Sequence, residues 1–240
     1  MIMANQTYSV IAIIPAAGAG SRLQSILNQP KQFAPLAGKP ILTHTLLQFQ
    51  RCDSIDGIII PAASEYIDFI QTGIVHQFGI DKVLDIIPGG DSRQNSVWEG
   101  LSRAKQYDPD TVAVHDAARP FISSNIIEHS VEVARHSGGC LTAIRVNDTV
   151  KRVENEAVIA TLNRAELWAA QTPQTFRYRL LLRAFEKAMA EGFSGTDESM
   201  LVERLGETVP VIHGSARNIK ITTPEDLKIA QAMIETENKV

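Results

Sequence analysis

The sequence predicts an α/β fold built on a mostly parallel sheet. Three observations carry that expectation. Apolar runs rich in β-branched residues show no polar alternation, amphipathic helical segments separate them, and glycine or proline closes each run. Tyr8–Ile14 is the first run, stopped by Pro15 and followed by the small-residue loop Ala16–Arg22. Ile41, Leu42, Thr45, Leu46 and Phe49 recur at helical spacing, so 40–50 reads as a helix with Pro40 at its first position. Gly57–Ile60 reads as a strand ended by Pro61, and Ile67, Ile70, Ile74 and Phe78 mark the next helix. Val83–Ile87 is a third strand, broken by Pro88-Gly89-Gly90, after which Asp91 or Ser92 caps a helix carrying Val97, Leu101 and Ala104. Thr111–His115 is a fourth strand, and Ser123 or Ser124 opens the helix of Ile126, Ile127, Val131 and Ala134.

The pattern changes after Gly139. Leu141–Val146 still reads as a strand, but 147–160 alternates polar and apolar residues about a turn at Glu154-Asn155-Glu156. That is a hairpin with one wet face. Two strands alone are marginal in water, so this hairpin needs a surface to lean on, in its own domain or in a second copy of the chain. Leu180–Glu191 and Glu198–Leu205 read as helices, Val209–His213 and Ile219–Thr222 as strands. Thr223-Pro224-Glu225-Asp226 opens the last helix, with an acid three residues after the cap and proline at the first position.

Composition narrows the function. The chain has 240 residues, which fits one large domain or one domain with an appendage, with a full core and no need of staples. Lys and Arg number 23 against 27 Asp and Glu, a net charge of −4, which leaves no electrostatic footprint for bulk nucleic-acid binding. No apolar run approaches the roughly 18 residues of a membrane span, and 1–9 has no basic residue ahead of its apolar part, unlike a secretory signal. Cys52 and Cys140 form no C-x-x-C pair and read as core residues of a reducing compartment. A cytoplasmic location is expected.

Chemistry concentrates where strands end, the edge at which such sheets bind ligands. Pro15-Ala16-Ala17-Gly18-Ala19-Gly20-Ser21-Arg22 lets backbone N–H groups approach a phosphate closely. It is neither a dinucleotide fingerprint, since Leu23 stands where a third glycine belongs, nor a P-loop, since no G-K-[ST] follows. A tight strand-to-helix turn explains the glycines equally well. Arg22 and Lys31 in the same connection tilt the balance toward a polyphosphate. His115-Asp116-Ala117-Ala118-Arg119-Pro120 puts an acid beside that loop, where Mg²⁺ takes one or two carboxylates plus phosphate oxygens; a turn cap is the alternative for Asp116, and the metal role is favoured because a nucleotide site would need the ion. Gly89 to Ser96 could read a nucleobase or start a helix, and Lys220 lies in an apolar stretch that points it at a partner charge. No nucleophile elbow is present, so the chemistry expected is charge stabilisation.

Taken in order, P-A-A-G-x-G-x-R, P-K-Q, G-G-x-x-R-x-x-S, H-D-A-A-R-P, D-T-V-K, A-x-Q-T-P-Q-x-F, T-D-E and N-I-K-I-T-x-P-E-D-L resemble the 2-C-methyl-D-erythritol 4-phosphate cytidylyltransferase family over about residues 9–233. The resemblance implies a nucleotide-diphospho-sugar transferase (Rossmann-like) fold with a protruding β-arm. It implies one domain over 1–240, with the arm at about 140–165 clasping a second subunit to make a homodimer. It also implies CMP transfer from CTP to methylerythritol phosphate, with Mg²⁺, in the non-mevalonate route to isoprenoid precursors. Arg22, Lys31, Arg164 and Lys220 match the catalytic cations, and Asp116 matches the Mg²⁺-linked acid. Ala16, Ala17, Gly90, Asp91 and Ser96 match positions around the nucleoside, with Gly18 and Gly20 in the phosphate loop. Arg119, Thr149, Thr172 and Thr196 match the substrate side, Thr149 and Arg164 lying in the arm region that reaches the neighbouring subunit. One departure stands out: some members carry an acid just before N-I-K, where this chain has Ala216-Arg217. A ribitol 5-phosphate cytidylyltransferase shares most of these motifs, and a CTP-binding protein without turnover would need fewer of the cations. The chain stops soon after the last helix, so no fused cyclase is expected.

Overall fold

A computed structural model describes residues 9–18 and 29–237. Strand β1 (Val10–Ile13) is followed by two short paired strands, β2 (Pro35–Leu36) and β3 (Lys39–Pro40), then α1 (Ile41–Arg51), β4 (Gly57–Ala62) and α2 (Ile67–Ile70). Strand β5 (Val83–Pro88), α3 (Arg93–Ala104), β6 (Thr111–Val114), α4 (Ser124–Ser137) and β7 (Gly139–Arg145) complete the first part. The hairpin β8 (Lys151–Glu154) and β9 (Ala157–Thr161) precedes β10 (Trp168–Arg177), α5 (Tyr178–Ala190), α6 (Glu198–Glu203), β11 (Val211–His213) and α7 (Pro224–Glu237).

Seven strands form one sheet in the order β11-β7-β10-β6-β1-β4-β5. β10 runs antiparallel to both of its neighbours, and the other pairs are parallel, so the mostly parallel sheet is as expected. Successive side chains go to opposite faces. Val10, Ala12, Ile14, Ile58 and Ile60 join the core under α1 and α4, while Ile11, Ile13, Ile59, Val112 and Val114 join the core under α3 and α5. Both faces are covered, which is why the sequence shows unbroken apolar runs. A smaller cluster of Leu36, Ile41, Ala118, Ile221 and Ala230 seats α7 beside the end of β6.

Several expectations need correction. Pro61 does not end its strand, because β4 continues to Ala62. Its carbonyl accepts from the Ala16 amide at 2.7 Å and Ala62 bridges Ala16, so pairing along β4 carries past the proline. Pro40 precedes α1 instead of opening it. Ile219–Thr222 joins no sheet, although the Ile221 amide donates to the Ala118 carbonyl at 2.9 Å. The longest strand, β10, escaped the reading because Gln171, Thr172, Pro173 and Gln174 break its apolar pattern, and its register shifts between Ala170 and Gln174.

The hairpin forms as expected, later than the arm boundary of about 140, since Gly139–Arg145 belongs to the central sheet. β8 and β9 make a sheet of their own, turned at Asn155 and Glu156, both at positive φ. Val153 and Val158 pair across it and remain 51% and 60% exposed. At the other end of the chain, the capping box closes α7. The Asp226 amide donates to Thr223 Oγ1 at 3.2 Å, and the Thr223 amide donates to the Asp226 carboxylate at 2.8 Å.

Candidate active site

The carboxyl ends of β1, β5 and β6 converge on a cavity of about 200 Å³. Pro15, Ala16 and Gly18 line it from β1, Lys31 and Gln32 from the next turn, Arg93 and Ser96 from α3, and Asp116 to Ala118 from the loop after β6. Lys220 closes it from the segment before α7. A second cavity of about 210 Å³ is lined by Arg119, Gln171, Thr172, Gln174, Thr196 and Asp197. Arg93, Asp116 and Lys220 belong to both, so one charged wall separates two chambers.

Asp116 is the centre of that wall. Its Oδ1 accepts from Arg93 Nε at 3.0 Å, and its Oδ2 pairs with Lys220 Nζ at 3.0 Å and Arg119 Nε at 3.2 Å. Burial opposes the charge on Asp116, but Arg93, Lys220 and Arg119 outweigh it and hold its pKa far below the ordinary carboxylate range. Arg93 in turn places Nη1 and Nη2 on the two oxygens of Glu198, at 2.7 and 3.0 Å. Glu198 is 1% exposed. Desolvation disfavours the Arg93 charge, and the two acids override it, raising its pKa.

Behind Asp116 a chain of neutral hydrogen bonds fixes the loop. The Asp116 amide donates to Thr172 Oγ1 at 3.0 Å, and Thr172 Oγ1 lies 3.1 Å from His115 Nδ1. His115 Nε2 lies 3.1 Å from the Arg119 carbonyl, which can only accept. Nε2 therefore carries the proton, Nδ1 accepts, and the Thr172 hydroxyl donates to it. Burial pushes the His115 pKa down to about 4 from 6.5. The unfolded chain thus takes up a proton below pH 6.5 that the folded chain refuses until about pH 4. This histidine's share of stability is whole above that window and falls by about 3 kcal/mol across it as pH drops. In His115→Gln the side-chain amide offers N–H and C=O to the same two partners. Urea unfolding at pH 7 and pH 5 is expected to show a smaller loss in the variant than in the wild type, and equal losses count against the assignment.

The small-residue loops are held by side chains as well as by their own geometry. Gln32 is 3% exposed and donates Nε2 to the carbonyls of Ala16 at 2.6 Å and Gly18 at 3.1 Å. Gly89 passes so close to Ala17 that a Cβ there would sit 2.6 Å from the alanine methyl. Ser96 Oγ accepts from the Gly90 amide at 3.2 Å and donates to the Ser92 carbonyl at 2.9 Å, which shapes the glycine turn. Ser92 caps α3 through the Asn95 amide.

Most of the sequence-derived positions meet. Ala16, Gly18, Lys31, Ser96, Asp116 and Lys220 line the first chamber, and Arg119, Thr172 and Thr196 the second. Ala17 and Gly90 lie in the framing loops without lining either chamber, and Asp91 is exposed beside them. Thr149 and Arg164 flank the hairpin, exposed, and line neither chamber of this chain. Arg164 donates Nη1 to the Asn147 carbonyl at 2.7 Å. Gly20 and Arg22 lie outside the described residues. Sequence reasoning missed Arg93, Gln32, Glu198 and Asn218. Arg93 and Glu198 did stand inside the G-G-x-x-R and T-D-E motifs, but nothing local says that these motifs touch. Asn218 donates Nδ2 to the Thr172 carbonyl at 2.8 Å, its carbonyl accepts from Arg119 Nη1 at 2.8 Å, and its Oδ1 is buried with no partner among the described residues.

Among the described residues no three His, Cys, Asp or Glu side chains cluster as a metal cage. One ionised carboxylate, Asp116, faces the chamber, and both of its oxygens already accept from cations. This donor set suits a magnesium ion shared with the oxygens of a bound triphosphate, and does not suit an ion held by protein alone.

Residues 10–236 match the family model of 2-C-methyl-D-erythritol 4-phosphate cytidylyltransferase. The chain belongs to that family. It is 46% identical over 230 residues to the enzyme of that name from Geotalea uraniireducens, covering 95% of this chain and 98% of the relative. Identity to the Bacillus licheniformis enzyme of the same name is 41% over 227 residues, covering 95% and 96%. Among solved structures, the 4-diphosphocytidyl-2C-methyl-D-erythritol synthase of Anaerococcus prevotii superposes with a TM-score of 0.82 at 31% identity, covering 95% of this chain and 96% of the other. The 2-C-methyl-D-erythritol 4-phosphate cytidylyltransferase of Thermus thermophilus superposes with a TM-score of 0.76 at 31% identity, covering 93% and 98%. The expected family and fold are therefore met, and no described helix is long and apolar enough to cross a membrane.

Proposed function

We propose that this chain transfers CMP from CTP to 2-C-methyl-D-erythritol 4-phosphate and releases pyrophosphate. The observation that carries the reading is the pair of chambers sharing Arg93, Asp116 and Lys220. A nucleotide in the first and a sugar phosphate in the second would meet at that wall. An oxygen of the acceptor phosphate attacks the CTP α-phosphorus. The bond to the α–β bridging oxygen breaks, and that oxygen leaves with its electron pair on pyrophosphate. The acceptor phosphate is already ionised near neutral pH, so no general base is required.

Two anions must be brought together, and positioning can contribute roughly 7–11 kcal/mol of the barrier reduction. Lys31 and Lys220, with Arg22, would supply positive charge where negative charge accumulates on the phosphoryl oxygens. The backbone about Ala16, Ala17, Gly18, Gly20, Gly90, Asp91 and Ser96 would hold the nucleotide. Arg119, Thr172 and Thr196 face the acceptor. A magnesium ion arriving with the triphosphate would be held by Asp116 and would neutralise phosphate charge.

The acceptor's phosphate is assigned to Thr149 and Arg164 of a second copy of the chain. Two features support a homodimer through the β8–β9 arm: both residues are exposed away from this chain's chambers, and the arm carries bare Val153 and Val158. Unpaired buried Cys52 and Cys140 suit a cytoplasmic setting.

The test is pyrophosphate release from CTP and Mg²⁺ with methylerythritol 4-phosphate or ribitol 5-phosphate as acceptor. Turnover at least about a hundredfold faster with the first is expected, the scale on which a pocket discriminates a misfitted methyl or hydroxyl group. Equal or faster turnover with ribitol phosphate moves the enzyme to another acceptor, and none with either removes the transferase reading.

A further inference from the structure

Arg93 stands between two carboxylates and can give its two-pronged end to only one of them. It gives both Nη atoms to Glu198, leaving only Nε for Asp116. Arginine prefers the two-bond arrangement with whichever carboxylate accepts it. Were Asp116 to take the fork, both of its oxygens would be engaged by Arg93. Its Oδ2, shared at present between Lys220 and Arg119, would have less to offer Lys220. The choice of partner therefore decides how Lys220 is held at the wall between the chambers.

We infer that Glu198 is a positioning residue: it holds the fork of Arg93, so that Asp116 receives one bond from this arginine and keeps its second oxygen for Lys220. Holding the fold together is a weaker explanation of the pair. A buried ion pair contributes little net stability compared with apolar packing. The segment before Glu198 is also already tied to α3 by Gln94, which donates to the Phe193 carbonyl at 3.0 Å and accepts from the Gly195 amide at 2.8 Å. The inference rests on the cytidylyl-transfer reading only for its kinetic part.

The decisive variant is Glu198→Gln, which keeps the shape but presents an NH₂ group to one arm of the guanidinium. A crystal structure of this variant is expected to show both Nη atoms of Arg93 on Asp116. An Arg93 that still faces position 198 with both arms overturns the inference. In the transfer assay, kcat is expected to fall about 30-fold while the Michaelis constant for CTP stays within about threefold, the signature of a misplaced group rather than a lost binding contact. Adding Arg93→Gln removes the arginine that would crowd Asp116, so the double variant is expected to be about tenfold faster than Glu198→Gln alone. A purely structural pair predicts that the double variant is no faster, and that result also overturns the inference. If Glu198→Gln does not fold, the double variant decides, since it leaves no unpaired charge at either position. A kcat within about tenfold of wild type supports the role, and a loss beyond about a hundredfold overturns it. Should the wild type itself fail to turn over, the transfer reading falls, and the position of Arg93 in the crystal still settles the inference.

Discussion

Asp116→Asn is expected to reduce turnover by about a thousandfold or more, because it removes the charge that organises the cations at the wall. The variant keeps the shape and loses the anion. Arg93 retains Glu198, but Arg119, with a side chain 11% exposed, and Lys220 are left facing a neutral amide. Removing one partner of a buried pair costs about 3–5 kcal/mol, and the share due to Lys220, 37% exposed, is smaller because solvent screens it. The acid dependence gives an independent check. The folded pKa of Asp116 is depressed, so its stabilising share is complete above the unfolded value near 4 and is lost as pH falls further. Urea unfolding of wild type and variant should show a constant gap from neutral pH down to about pH 4.5 that narrows below it. A gap that stays unchanged at pH 3 would falsify the assignment.

Lys31→Ala is expected to lower kcat by about a thousandfold while CTP affinity changes by less than about tenfold, since a charge aimed at the transition state contributes little to ground-state binding. Equal losses in the two quantities would place Lys31 in binding alone. Arg164→Ala should instead raise the Michaelis constant for the sugar phosphate. The two variants together test where the second chamber gets its phosphate contacts. If Arg164 serves the neighbouring copy, mixing Lys31→Ala with Arg164→Ala, at sugar phosphate too dilute for either variant alone to turn over appreciably, places both defects in one of the two sites. The other site is then intact, and activity returns to about a quarter of wild type for random pairing. Mixtures that stay as inactive as their components would assign Arg164 to its own chain.

How much of this was legible in the residues follows from where the determining forces act. Strands such as Val10–Ile13 and Thr111–Val114 announce themselves because burial on both faces leaves only apolar positions. The capping box at Thr223 and the turn at Asn155-Glu156 are local chemistry, and both are found where the residues put them. Strand β10 was not legible, since its middle is polar for the sake of the site it crosses. Gln171 and Thr172 hold Asn218, Ser215 and the Asp116 amide, which a pattern of hydrophobicity cannot express. The same limit explains Arg93 and Glu198, 105 positions apart in the chain yet 2.7 Å apart at their tips. Local spacing identifies residues near a strand end, and only the fold says which of them touch.

Three cations and two carboxylates meet at the wall between the chambers: Arg93, Arg119 and Lys220 against Asp116 and Glu198. Each cation thus has an internal counter-ion before any phosphate arrives. For Lys220, taking a phosphate is then an exchange of partners, and its gain is the difference between a phosphate's hold on it and that of Asp116. A singly charged anion such as chloride has too little field to displace a buried carboxylate, whereas a triphosphate has enough. At Lys220 this competition favours a highly charged anion over a singly charged one.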